Sequence, residues 1–274
     1  MKRIVILLAV LMTLLACPAW AQQKTAGSRP VYYDTFSTRW LNPNKWSISD
    51  PCGPMALECV RAIENGRLRL AGKIFGATDS DSGGQGMEGA LFFANPSTVN
   101  SITTDITLTQ YSGIPCSTNA DGWTGVVADV AGTFFNAGTT NDYADDVTAG
   151  VALVVDTNSP ATIHATSAVN GSSLNVSVDM GSYPIGTPLT VTVAWNKANH
   201  SFFFAVHVIG DAGLGKRVWI PYSVSDTNPP AWLQRNISAS PNSANCTSVR
   251  TFSAVEAFVD NVIVNAAPPS QNQQ

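Results

Sequence analysis

The sequence predicts an all-β fold of two packed antiparallel sheets, and three observations predict it. Short runs rich in Val, Ile, Thr and aromatic residues recur roughly every ten positions, many alternating apolar with polar side chains. Gly, Pro, Asn and Asp punctuate these runs, and almost nowhere does an apolar period of about 3.6 residues persist. The count comes to about a dozen strands, too many for one open sheet and suited to two sheets face to face.

In chain order, residues 1–21 (MKRIVILLAVLMTLLACPAWA) join Lys2 and Arg3 to an apolar stretch and an A-x-A site at Ala19–Ala21. They read as a bacterial secretory signal cleaved after Ala21. A lipoprotein box at Leu14–Cys17 is the rival, opposed by Leu15 and by Pro18 directly after the cysteine. No other stretch reaches the about 18 uninterrupted apolar residues of a membrane helix, so a secreted or periplasmic protein without membrane insertion is expected. Residues 22–29 read as a flexible leader, 30–266 as a single sandwich domain and 267–274 as a disordered tail.

The first strand expected is VYYDTF (31–36). The strongest local signal follows in VRAIENGRLRLAG (60–72), where Asn65-Gly66 suits the positive φ angles of a tight hairpin turn. Further strands are expected at 89–94, 100–110, 122–130, 149–156, 161–169, 173–180 and 217–224, with a second hairpin at 189–208 turning at NKANH. The closing strand is VEAFVDNVIVN (255–265), which sets Asp260 and Asn261 inside an apolar, β-branched run.

Composition narrows the partners. After the signal, 13 basic residues face 19 acidic ones, a charge of −6, which opposes nucleic-acid binding because that needs clustered cations. Hydroxyl and amide side chains are plentiful, a surface compatible with sugars. Four cysteines remain, Cys52, Cys59, Cys116 and Cys246, an even number that favours two disulfides in an oxidising compartment. Cys52–Cys59 with Cys116–Cys246 is the preferred pairing of the three possible. Zinc is the alternative, weakened by the lack of paired CxxC spacing.

Near the start, YDTFSTRWLNPNKWSI places Asp34, Phe36, Leu41, Asn42-Pro43 and Trp46 in a pattern that resembles the opening of concanavalin A-like lectin/glucanase jelly rolls. ENGRLRLA resembles that superfamily's following hairpin, and VEAFVDNVIV its closing strand. The resemblance implies a two-sheet antiparallel jelly-roll sandwich whose last strand returns beside the first. It also implies a structural calcium ion held by Asp260 with Asp34 nearby, since a hard cation compensates a buried carboxylate. The other reading is that Asp260 and Asn261 hydrogen-bond loop backbone at the sandwich edge.

The glucanase branch carries its acids on one strand as ExDxE, because alternate strand residues share a face. None of the four glutamates after the signal (Glu58, Glu64, Glu88, Glu256) has a second carboxylate at that spacing, so no catalytic residue is assigned. Asp105 and Asp129, both on expected strands, are acids that only folding could bring together. Gly84–Gly89 matches GxGxxG and Gly210–Lys216 matches GxxxxGK, yet neither opens a helix, and both read as turns. The acidic loops at 79–84 and 141–146 lack a full calcium-loop pattern and read as solvated turns. Trp195 reads as core; Trp123 beside Asp121, and Trp232 in NPPAWLQ, read as exposed platforms for sugar rings. The expected function is a secreted, non-catalytic carbohydrate-binding sandwich with Asp121, Trp123 and Trp232 as ligand residues. The alternatives are a glycoside hydrolase or polysaccharide lyase, and a structural or adhesive module.

Overall fold

A computed structural model describes residues 31–47, 56–140, 142–171, 173–211, 213 and 215–270. The expected signal and leader, Cys52 and the last four residues of the expected tail lie outside the described residues. Residues Tyr32–Gln274 form one compact unit.

Two antiparallel sheets of seven strands face each other. Sheet A contains β1 (Ala56–Glu64), β2 (Arg67–Phe75), β5 (Ser101–Ile114), β10 (Leu189–Asn196), β11 (Ser201–Val208), β12 (Lys216–Pro221) and β14 (Phe252–Val264), in the order β1-β2-β14-β5-β10-β11-β12. Sheet B contains β3 (Gly84–Gly86), β4 (Gly89–Phe92), β6 (Gly125–Asn136), β7 (Asp146–Asp156), β8 (Thr162–Gly171), β9 (Leu174–Pro184) and β13 (Arg235–Ala244). Its order is β3-β13-β6-β7-β8-β9, with β4 also paired to β13. The architecture is the jelly-roll sandwich that the resemblance implied.

Period-two patterning selects the core. Leu68 and Leu70 of β2, Val191 and Val193 of β10, Val126, Ala128 and Val130 of β6, and Val151 and Leu153 of β7 all point between the sheets and are fully buried. Each large aliphatic side chain so buried contributes about 1.5–3 kcal/mol. Asn65 and Gly66, at φ 52° and 73°, make the tight turn expected between β1 and β2. The NKANH turn joins β10 to β11, with His200 in the left-handed region at φ 44°.

The structure departs from expectation at two segments. VYYDTF (31–36) is no strand: it contributes one bridge, Asp34 with Val262, because Phe36 turns the chain away at φ 49° to stack on Trp46. Sequence reading also missed β13, a central strand, since its Ser, Asn and Pro241 argue against one. Pro241 is tolerated because its carbonyl accepts from the Met87 N–H. Its ring nitrogen, on the same side of the strand, faces the break between β3 and β4, so no ladder bond is lost.

The Asp260–Asn261 pair is a bulge. Asp260 pairs with Asp105, the next pairing is Ile263 with Thr103, and Asn261 sits between them at φ 52°. Val262 is thereby released from β5 and exchanges hydrogen bonds with Asp34 (2.8 and 3.2 Å), so the two ends of the domain lie side by side. The Asp34 carboxylate accepts from the Phe36 N–H (2.9 Å) and the Trp46 indole N–H (2.7 Å). Asn261 donates to Asp105 (2.8 Å), and its backbone N–H donates to Asp260 (2.7 Å).

Cys116 and Cys246 form the expected disulfide, with Cα atoms 5.5 Å apart. Cys59 is also disulfide-bonded, and Cys52, its expected partner, lies outside the described residues. Among the described residues, the one cluster of acid, thiol or imidazole ligands close enough to share a metal is Asp81 with Cys116 and Cys246, and its sulfurs are spent on that disulfide.

Candidate end groove

Two parts of the surface collect functional side chains. The outer face of sheet A brings together three of the four glutamates. Arg69 on β2 pairs with Glu64 on β1 (3.2 Å) and with Glu256 on β14 (2.7 Å). Glu58 shares a depression of about 230 Å³ with Arg69, Lys73, Gln110 and Glu256. Burial works to raise the Glu256 carboxyl, but hydrogen bonds from Arg69 and Thr109 outweigh it and hold the group below the usual carboxylate range. A carboxylate so held is an acceptor and not a proton donor at neutral pH.

Asp105 and Asp129 do not meet, since β5 belongs to sheet A and β6 to sheet B. Asp129 accepts from Ser238 (2.7 Å); burial, with Glu88 nearby, pushes its carboxyl up to about 6.

The second place is one end of the sandwich, where three depressions adjoin. The first, about 480 Å³, is lined by Trp195, Trp219, Asn196, Lys197 and the tail segment Ala267–Ser270. The second, about 250 Å³, shares Asn100, Trp195 and Lys197 with it and adds Asp226, Asn228 and Arg235. The third, about 380 Å³, shares Leu233 and Arg235 with the second and ends at Trp232. Sharing these walls, the three depressions lie side by side as an end groove touched by three indoles.

Local structure positions each indole. Trp195, at the end of β10, stacks on Phe135 (5.5 Å between centroids) and donates its N–H to Tyr222 (2.7 Å). Tyr222 donates to the buried Asp226 (2.6 Å), which also faces His200 at 3.3 Å. Burial, reinforced by Asp226, pushes the Tyr222 hydroxyl well above its ordinary pKa, so it is not poised as a base. Trp219 packs on Phe203 at 4.9 Å. Trp232 is 65% exposed, and its backbone is fixed from below by Asp146. That carboxylate, 8% exposed, accepts from the Ala231 N–H (2.7 Å), the Trp232 N–H (2.8 Å) and the Asn136 amide (2.8 Å). The loop at 141–146 is therefore no mere solvated turn, since Asp146 builds the groove wall.

The ligand residues expected from sequence do not form one site. Trp123 and Asp121 are exposed just before β6 begins at Gly125, whereas Trp232 precedes Arg235, which pairs with Gly132. Seven residues of β6 separate the two places, about 23 Å of strand. Trp195, expected as core, is half-buried and lines the groove. Sequence reasoning missed Arg235, which no local pattern marks, and Trp40, the most exposed indole among the described residues at 81%, beside the Asn65-Gly66 turn. Neither glycine-rich nucleotide motif is followed by a helix: the first, expected as a turn, forms β3 and enters β4, and the second leads into β12. No helix among the described residues is long and apolar enough to cross a membrane.

No protein-family model matches the sequence, and no curated protein matches it. Solved structures align with it at low identity. A β-1,3-glucanase from Mycobacterium marinum aligns at 10% identity over 85% of this chain and 100% of that one, with a TM-score of 0.41. Lectin II from Ulex europaeus aligns at 13% identity over 74% and 95%, TM-score 0.34. Winged bean acidic lectin complexed with methyl-α-D-galactose aligns at 11% identity over 83% and 97%, TM-score 0.35.

Proposed function

We propose that the protein is an exported carbohydrate-binding sandwich that holds an extended saccharide in the end groove without cleaving it. The observation that carries this reading is the groove itself: Trp219, Trp195 and Trp232 along its length, with Asn100, Asn196 and Asn228 between them. Indoles offer flat apolar faces to the C–H side of sugar rings, and the amides supply the donors and acceptors that hydroxyl groups need. Hydrolysis by the usual route takes two carboxyl groups, and Asp226 is the one carboxylate lining the groove among the described residues. The disulfides favour an oxidising compartment, in keeping with export.

A glycan array tests the binding. Retention of a defined set of glycans is expected, with Trp219→Ala and Trp232→Ala each weakening it about tenfold, the effect of losing one aromatic contact. No retention would end this reading. Release of reducing ends or unsaturated products from a polysaccharide panel would replace it with an enzyme. A cation at Asp34 and Asp260 belongs to the same proposal. Burial holds Asp260 above the usual carboxylate range, and Asp105 and Asp34 add like charge across the bulge. The oxygens of Asp34 and the Oδ1 of Asp260 already accept N–H groups, so an ion there competes with those bonds. A melting temperature higher in calcium than in EDTA supports the ion, and identical melts remove it.

A further inference from the structure

The groove contains a charge that the protein leaves uncompensated. Arg235 opens β13 with its side chain turned between the sheets, and it is 2% exposed. Its stem crosses Gly132 on β6, where a Cβ would collide with the Arg235 Cδ, so the glycine makes room for it. The guanidinium lies 3.9 Å from the centroid of the Phe134 ring. Nε donates to the Val99 carbonyl (3.2 Å) and Nη1 to the Gln234 carbonyl (2.8 Å), while Nη2 makes no hydrogen bond among the described residues. Arg235 forms no ion pair among them either, whereas Asp226 in the same depression is taken by Tyr222 and His200. Burial lowers the guanidinium pKa to about 9 with no opposing charge effect, so it stays protonated at neutral pH.

A buried cation without a counter-charge is costly, and a sandwich core has no need of one. Arg235 lines both the second depression, with Trp195 and the exposed Lys197, and the third, with Trp232. A guanidinium whose Nη2 still has its donors to give suits a carboxylate oxygen. We infer that Arg235 is the recognition point for a carboxylate on the saccharide in the end groove, so that the ligand is an acidic glycan of the uronate type. This rests on the groove being the sugar site, and it names the chemical class that the groove selects.

The test is an array of uronate-bearing glycans, the same glycans after reduction of the carboxyl to a primary alcohol, and neutral glycans carrying sulfate esters. Wild-type protein is expected to retain the uronate glycans and to bind their reduced forms at least tenfold more weakly. Arg235→Gln is expected to lose that preference, binding the uronate and reduced forms alike, and Arg235→Lys to recover part of it. Thermal melts establish whether each variant is folded. Should Arg235→Gln fail to fold, the comparison of native with reduced glycan on wild-type protein still decides. Lys197→Ala, at an exposed position, is expected to weaken uronate binding about threefold. Equal binding of the reduced forms, or retention of neutral or sulfated glycans alone, would overturn the assignment of Arg235 and leave the groove reading standing. Retention of nothing would overturn both.

Discussion

Replacing Cys116 and Cys246 together by Ser is expected to destabilise the domain by about 5 kcal/mol, the chain-entropy value for a loop of this length. The bond spans 130 residues, from the segment between β5 and β6 to the segment between β13 and β14. Without it, the unfolded chain regains the freedom of most of the sandwich. For a domain of this size the melting temperature should fall by about 10–20 °C. Guanidinium titrations of oxidised wild type, reduced wild type and the double variant would measure it. The difference between oxidised wild type and the oxidised double variant isolates this crosslink, since reduction also opens the Cys59 disulfide, and a loss below about 1 kcal/mol would mean that the unfolded chain is already ordered there.

Asp146→Ala is expected to cost about 3 kcal/mol, because one mostly buried carboxylate takes the N–H groups of Ala231 and Trp232 and the amide of Asn136. Removing it strands all three donors at once. The substitution should also weaken glycan binding, since Trp232 then loses the tether on its backbone. Asp146→Asn separates the two effects: it keeps one acceptor but sets an amide NH₂ against one of the donors. Urea denaturation gives the stability and the array gives the binding. A variant as stable as wild type would show that water replaces the carboxylate.

Much of the fold was legible in the sequence because it is written locally. Asn65-Gly66 fixes one hairpin, and the alternation of Leu68 and Leu70 with Arg67 and Arg69 fixes which face of β2 is inside. What escaped depends on neighbours distant in sequence. β13 reads as a loop until β3, β4 and β6 flank it and the gap between two of them absorbs Pro241. Glu64 and Glu256 meet on Arg69 only because β1, β2 and β14 are adjacent. Arg235 looks like an ordinary loop cation; its meaning comes from Gly132 and Phe134, about a hundred residues earlier. Asp121, Trp123 and Trp232 share an exposed, sugar-friendly chemistry, but exposure says nothing about which end of a strand a residue occupies.

The bulge at Asp260–Asn261 also inverts the parity of the closing strand. Val255, Ala257 and Val259 reach the interior from odd positions, and beyond the bulge Val262 does so from an even one. The extra residue thus works as a phase shifter: it lets a single strand keep an oily side inward while its neighbour on one edge changes from β2 to the opening segment and β5 stays on the other. Lose one residue there and every later side chain would be turned inside out, with Val262 facing water and the seam between Asp34 and the closing strand left unsewn.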